Sequence, residues 1–179
     1  MHLVIGGRGL IGTAIVAELE RKKLDYRFTT RNSGRLWDKE IFLDLETISN
    51  SYNVKNNYLP DLDGLGDVLY LVAAIPGLYQ CEGNHKAFRV NADAAIALAR
   101  RYKTAFVVFI SSDSVENAGL INYARAKAHV ENYINTIDGA IIRPAKVTAE
   151  NVTALAGTVV HVGMNRICGV THFPNLAHE

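Results

Sequence analysis

Residues 2–12 read His2-Leu-Val-Ile-Gly-Gly-Arg-Gly-Leu-Ile-Gly12. Leu3, Val4 and Ile5 form a short apolar, β-branched run, the pattern of a buried strand. Gly6, Gly9 and Gly12 follow at intervals of three. Residues 13–23 then predict a helix, with Ile11, Ile15, Val16 and Leu19 on one face. Each glycine has a physical task in such a turn. One permits the tight bend, one lets main chain approach a pyrophosphate, and one lets helix and strand pack closely. The helix N-terminus adds free N–H groups and a partial positive charge. The stretch therefore predicts a phosphate-binding strand–turn–helix unit. It opens a Rossmann-type α/β fold, a doubly wound parallel sheet with helices on both faces. Gly6, Arg8, Gly9, Leu10, Ile11 and Gly12 are candidates for contact with a dinucleotide.

The second strand, 26–30, ends at Arg31, and Arg35 follows. No Asp or Glu stands at this strand end to bind ribose hydroxyls, whereas an arginine accepts a 2′-phosphate. This favours NADP as cofactor, with NAD as the alternative. A short third strand over 40–43 leads to Asp44-Leu45. A poorly patterned helix over 46–58 and a turn cluster over 60–64 come next. Residues 67–74 are a nearly continuous apolar run, which is how a central parallel strand reads. Ala73 and Ala74 at its end leave room for a cofactor. Residues 82–103 predict a long helix, with Asn91 near its apolar face. A buried asparagine must be hydrogen-bonded, so Asn91 is expected to tie this helix to a strand.

Residues 105–110 form a second buried strand that ends in Ser111-Ser112-Asp113-Ser114-Val115. Ligands in open α/β sheets bind beyond the C-terminal ends of strands. Tyr123 and Lys127 then fall one turn apart on a helix predicted over 119–136. An ammonium near a phenol favours the phenolate and lowers the phenol's pKa, which makes a tyrosine usable as an acid or base. A sixth strand, 139–142, ends at Arg143-Pro144.

Taken together and in order, these motifs resemble the extended short-chain dehydrogenase/reductase superfamily, in its sugar-nucleotide epimerase, dehydratase and reductase branch. The residues that carry the resemblance are Gly6-x-x-Gly9-x-x-Gly12, Asp44-Leu45, Leu71-Val-Ala-Ala74, Asn91, Ile110-Ser-Ser-Asp-Ser-Val115, Tyr123-x-x-x-Lys127 and Ile142-Arg-Pro144. The resemblance implies a catalytic set of Ser112, Tyr123 and Lys127. Tyr123 is the general acid–base, Lys127 binds the nicotinamide ribose hydroxyls, and Ser112 holds the reacting oxygen. It also implies cofactor contacts from Asp44, Leu45 and Pro144, a sugar nucleotide or similar small substrate, and a homodimer built on the helices near 82–103 and 119–136. Dehydratases of this branch place a glutamate after the aspartate, where this chain has Ser114. Carbonyl reduction of the dehydrorhamnose-reductase type is therefore expected ahead of epimerisation. A non-catalytic NADP-binding sensor or scaffold is the alternative of a different class, motivated by the short gap between Ser112 and Tyr123.

The totals fit this reading. At 179 residues, 49% hydrophobic and 21% charged, the chain suits one soluble globular domain. A net charge of +1 gives no reason to expect nucleic acid or a membrane surface as partner. The longest apolar run, 68–75, is far short of the ~20 residues that span a bilayer. With a strand-like run starting at residue 2, no signal peptide is expected. Two cysteines build no disulfide framework, and a reducing cytoplasm is the default setting. His161, His172 and His178 match no metal-site spacing, His129 faces away from Lys127, and no metal is expected. Residues 158–162 predict a further strand. Residues 169–177 resemble a stretch that precedes a further helix in the superfamily. Residues 145–179 are read as the remnant of a shortened substrate-binding region.

Overall fold

The structure, a computed structural model, describes residues 1–34, 36–48, 59–62, 64 and 66–173. Seven strands pair in parallel: β1 (His2–Ile5), β2 (Tyr26–Thr30), β3 (Glu40–Phe42), β4 (Val68–Leu71), β5 (Phe106–Ile110), β6 (Gly139–Pro144) and β7 (Gly169–Phe173). Their order across the sheet is β3-β2-β1-β4-β5-β6-β7. The helices are α1 (Leu10–Arg21), α2 (Leu45–Ile48), α3 (Leu78–Cys81), α4 (His85–Phe88), α5 (Ala94–Arg101), α6 (Asn122–Ile134) and α7 (Val152–Asn165).

The two apolar runs became central strands because they can be buried on both faces. Along β4, Leu69 and Leu71 enter a core shared with α2, α5 and α6, while Val68 and Tyr70 enter one shared with α1 and α7. β5 alternates in the same way, with Val107 and Phe109 on the first side and Phe106, Val108 and Ile110 on the second. This is the period of two of a pleated strand, read without any polar face.

The expected strand over 158–162 is instead part of α7. Val152, Leu155, Ala156, Val159, Val160, Val162 and Gly163 are its buried positions. Their spacing is helical; paired valines suggest a strand, but the 3.6-residue period decides. Gly163 lets this helix press on the sheet, since a Cβ there would lie 2.6 Å from the Tyr70 hydroxyl. Residues 169–173 are the edge strand β7; the rest of the 169–177 stretch lies outside the described residues, as do 178 and 179. Residues 152–173 thus supply a helix and a strand to the main sheet.

The helix expected over 82–103 starts later. Gly83, with φ +63°, separates α3 from α4, and the Asn84 side chain caps α4 by accepting from Lys86 and Ala87 N–H. Between α4 and α5 the chain makes a π-turn over Arg89–Asp93 that contains Asn91. Of the helix expected over 46–58, α2 occupies the start, and 49–58 lie outside the described residues, as do Asp63 in the 60–64 turn and Arg35. Among the described residues, no helix is long and apolar enough to cross a membrane.

A buried pair at the far end of the sheet gives the fold a pH signature. His2 Nδ1 lies 3.0 Å from the Tyr70 hydroxyl, and both side chains are buried. Burial, helped by the neighbouring terminal ammonium, pushes the His2 imidazole down from 6.5 to about 4. The unfolded chain then binds a proton between these values that the folded chain refuses. Stability is therefore expected to fall as pH drops from 6.5 towards 4, by about 3 kcal/mol at the lower limit. Denaturant midpoints across this window check it, and His2→Gln should flatten the slope.

Candidate active site

β1 lies between β2 and β4, so successive connections leave it in opposite directions across the sheet. The strand C-termini diverge at such a switch point and leave a crevice. A cleft of about 920 Å³ opens there, within the size range of small-molecule sites. Gly6, Arg8, Gly9, Leu10, Ile11 and Gly12 line it from the turn, Arg31, Asp44 and Leu45 from the β2–β3 side, and Ala73 and Ala74 from the end of β4. Ser112, Tyr123, Lys127 and Pro144 line it from the β5–β6 side. One cleft thus gathers every described residue that the sequence singled out for cofactor or chemistry.

The turn after β1 is tightly built. Gly6 has φ +95°, and a Cβ on it would lie 2.7 Å from the Ala73 Cβ. A Cβ on Gly12 would collide with the Gly6 carbonyl oxygen, so the third glycine is what lets α1 start this close to β1. Gly9 differs: its Cβ would stand 3.5 Å from that oxygen, an ordinary contact. Thr29 accepts a hydrogen bond from Gly6 N–H at 2.9 Å, and Thr13 donates to the Gly7 carbonyl at 3.1 Å. Gly9 is the N-cap of α1, with no side-chain cap and no acidic residue in the first turn. The helix therefore turns its N-terminal N–H groups and positive dipole end towards the cleft without a protein anion to satisfy them. These features fit a pyrophosphate.

The two arginines at this end differ. Arg8 is held by Glu40, with Nε donating to Oε1 at 2.5 Å, and Glu40 also accepts from Trp37 N–H at 2.8 Å. Its charge is largely offset by a buried carboxylate. Arg31 is exposed at the cleft edge and makes no ion pair among the described residues.

At the other end, α6 presents Tyr123 and Lys127. Lys127 is buried, and its Nζ donates to the Ile110 carbonyl at 2.7 Å. The same Nζ lies 4.7 Å from the Phe109 ring centroid and 5.8 Å from that of Tyr123. Burial pushes the lysine down to about 8, opposed by Glu131 one turn further along. Glu131 takes two hydrogen bonds from Arg143, at 2.9 and 2.5 Å, which fix α6 to β6 behind the site. The expected lowering of the Tyr123 phenol is not observed. Burial raises it, and Cys81 and Asp113 add to the rise. The lysine sits over the ring and is turned to a main-chain carbonyl, so it gives the phenolate no direct hydrogen bond.

Ser112 lies beyond β5 and caps a short 3₁₀ turn, Asp113–Asn117. Its hydroxyl accepts from Ser114 N–H and Ser114 Oγ at 3.2 and 3.0 Å and donates to Asp113 Oδ1 at 3.2 Å. Its neighbour Ser111, which the sequence did not single out, also lines the cleft. Ser111 is buried, and among the described residues its Oγ is the one buried side-chain polar atom without a hydrogen-bond partner. Such a group costs about 1–3 kcal/mol unless something else satisfies it. Thr29, Gln80 and Val147 line the cleft as well, without a sequence pattern to mark them.

Asn91 does what a buried asparagine must. Its Oδ1 accepts from Ile75 N–H at 2.7 Å and its Nδ2 donates to Ile75 O at 3.0 Å, which pins the segment after β4. Glu82 accepts from Asn122 N–H at 2.8 Å and so caps α6, whose N-cap residue Ile121 makes no side-chain hydrogen bond. Among the described residues no group of three or more His, Cys, Asp or Glu is placed to hold a metal; His161 is on α7, His172 on β7, and His178 lies outside the described residues.

Fold and cleft together define a Rossmann-type α/β protein, with the switch-point architecture and a glycine turn at β1. Among solved structures, the chain is similar to a hypothetical dTDP-4-dehydrorhamnose reductase from Sulfolobus tokodaii, at TM-score 0.75 and 20% identity, over 96% of this chain and 75% of that one. It is similar also to the dTDP-4-dehydrorhamnose reductase of Bacillus anthracis in complex with NADP, at TM-score 0.74 and 16% identity, over 98% and 75% of the two chains. A third is the UDP-glucose 4-epimerase of Thermus thermophilus in complex with NAD, at TM-score 0.70 and 15% identity, over 96% and 76%. These reductases and epimerases share the fold of this chain. No protein-family model matches the sequence, and no curated protein matches it.

Proposed function

We propose that the protein is an NADP-dependent oxidoreductase of the short-chain type that reduces a carbonyl group on a sugar nucleotide or similar small substrate. The observation that carries this reading is the single cleft that joins an uncapped helix N-terminus at a glycine turn to Tyr123 and Lys127. Solved structures of the same fold are described as complexes with NADP and with NAD.

The residues divide the work along the cleft. The glycine turn and the N-terminus of α1 hold the pyrophosphate. Asp44 and Leu45 border the adenosine end. Arg31 takes the 2′-phosphate, a task for which Arg8, engaged by Glu40, is less suited. Ala73 and Ala74 keep the middle of the cleft open. Lys127 binds the ribose hydroxyls of the nicotinamide half, and Ser112 orients the carbonyl oxygen of the substrate. The bound dinucleotide supplies the hydride. Tyr123 delivers a proton to the oxygen that becomes the hydroxyl.

The electrostatics of the unliganded cleft favour this direction. A phenol raised by burial keeps its proton and is ready to donate. Oxidation would need the phenolate at the outset. Ser114, where dehydratases carry glutamate, leaves dehydration without its second acid–base.

Titration of the protein with NADPH and NADH tests the cofactor assignment. Arg31→Ala is expected to weaken NADPH by about tenfold or more, the worth of a charge-assisted bond, and to leave NADH unchanged. Equal affinity of the wild type for both dinucleotides would contradict the preference.

A further inference from the structure

The first turn of α6 is held from a distant part of the chain. Tyr123 is the second residue of this helix, and the N–H groups at a helix start have no acceptor within it. Lys127 and Glu131, tied to Ile110 and Arg143, anchor α6 from its second turn onwards. The residue before the helix, Ile121, is apolar and cannot cap it. Glu82, 40 positions before Asn122, supplies both of its oxygens instead. Oε1 accepts from Asn122 N–H at 2.8 Å and Oε2 from Asn122 Nδ2 at 3.2 Å. The carboxylate enters no ion pair among the described residues. Glu82 in turn sits on a braced segment. On one side, buried Cys81 donates to the Ile75 carbonyl at 3.5 Å and accepts from Asn91 Nδ2 at 3.6 Å. On the other, Asn84 Nδ2 donates to the Gln80 carbonyl at 3.1 Å.

We infer that Glu82 is a positioning residue for the reaction: by holding Asn122 it fixes the first turn of α6, and with it the place of the Tyr123 hydroxyl in the cleft. This rests on the reading of Tyr123 as the proton donor and deepens it. The phenol depends on such support. Its hydroxyl has no hydrogen-bond partner among the described residues. Its place is therefore inherited from the main chain of α6 and from the contacts of its ring, where Lys127 Nζ stands 5.8 Å from the centroid. A carboxylate suits the task. It accepts from a helix-start N–H that would otherwise fray, and its charge complements the positive end of the helix dipole. Two bonds to one residue fix direction as well as distance. Proton transfer needs that precision, since a misplacement of about 1 Å costs about a hundredfold in rate.

The test measures NADPH-driven reduction of a 4-keto sugar nucleotide by Glu82→Ala and Glu82→Gln, each made in wild type and in Tyr123→Phe. Glu82→Ala is expected to lower kcat by about tenfold, between the worth of a helix cap and that of a misplaced reacting group, and to leave NADPH affinity unchanged. Amide hydrogen exchange should quicken in residues 122–124 of this variant. Glu82→Gln should recover most of the rate, because its amide oxygen still accepts from Asn122 N–H. In the Tyr123→Phe protein, Glu82→Ala should slow the residual reaction no further, since a residue that acts through the tyrosine has nothing left to place. Wild-type kcat in Glu82→Ala would overturn the inference. An equal loss on both backgrounds would overturn it too, because Glu82 would then support the fold at large, and so would a loss of NADPH affinity that matches the loss of rate. A Tyr123→Phe protein that reduces the sugar nucleotide as fast as wild type would remove the acid assignment itself and this inference with it.

Discussion

Tyr123→Phe is expected to slow carbonyl reduction by about 10²–10⁴-fold, the range for loss of a positioned general acid, while NADPH binds as it does to wild type. The substitution removes one hydroxyl and keeps the ring on which Lys127 Nζ rests, 5.8 Å from its centroid. The half-buried side chain keeps its packing on α6. Stability should therefore change little, and the loss should fall on kcat. The phenol is raised by burial, so in wild type it holds its proton across neutral pH. Turnover should accordingly be flat around neutrality and decline at high pH, as Lys127, already pushed down to about 8, and then the tyrosine give up their protons. Steady-state kinetics across pH check both points. A Tyr123→Phe protein with wild-type kcat would remove the tyrosine from the chemistry.

Gly12→Ala is expected to damage both the fold and the cofactor site. Its Cβ would run into the main-chain oxygen of Gly6, and neither group can swing away, because Gly6 is held by Thr29 and packed on Ala73. Forcing α1 back from β1 should cost about 1–3 kcal/mol, as overpacking does. For a chain of this length that lowers Tm by about 2–4 °C for each kcal/mol. NADPH affinity should fall by more than about tenfold, since the helix N-terminus moves with the turn. Gly9→Ala is the control. Its Cβ meets the same oxygen at 3.5 Å, an ordinary contact, so Tm should hold. Affinity should still fall, because Gly9 is the exposed N-cap over which phosphate must approach. Paired thermal melts and NADPH titrations separate the two effects. Equal melting and equal binding in both variants would remove the turn from the cofactor site.

Much of this fold was readable because its signals are local. The apolar run before Gly6, the glycine spacing and the helical face of α1 lie within twenty residues, and each depends only on neighbours in sequence. The central strands were readable for a similar reason: runs such as 68–71 and 106–110 are apolar on both faces, which suits only a covered parallel sheet. The valine-rich stretch in α7 was misread because β-branched pairs suggest a strand when their 3.6-residue period is overlooked. The π-turn that carries Asn91 had no signal at all. Its Asn91 exchanges two hydrogen bonds with Ile75, sixteen residues away, accepting one and donating the other.

The site divides along the same line. Many residues that line the cleft were legible, from Gly6 to Pro144, because motif spacing names them, whereas Thr29, Gln80 and Val147 carry no such mark. Their electrostatic states were not. Tyr123 was expected to be lowered by Lys127, yet burial raises it, and burial is a property of the packed molecule. The engagement of Arg8 by Glu40 joins residues 32 positions apart. Ser111 and Ser112 look alike in the sequence; only the folded chain distinguishes the hydroxyl that is satisfied from the one that is not.

The most direct test of the account is transfer of deuterium from NADPH labelled at the nicotinamide C4 position to a 4-keto sugar nucleotide, read by mass spectrometry of the sugar product. The account predicts an alcohol heavier by one deuterium with the wild-type protein, formed at least about a hundredfold more slowly with Tyr123→Phe. NADPH bound tightly, but with no label reaching any keto sugar nucleotide or other small carbonyl compound, would contradict it and leave a dinucleotide-binding protein without reductase chemistry.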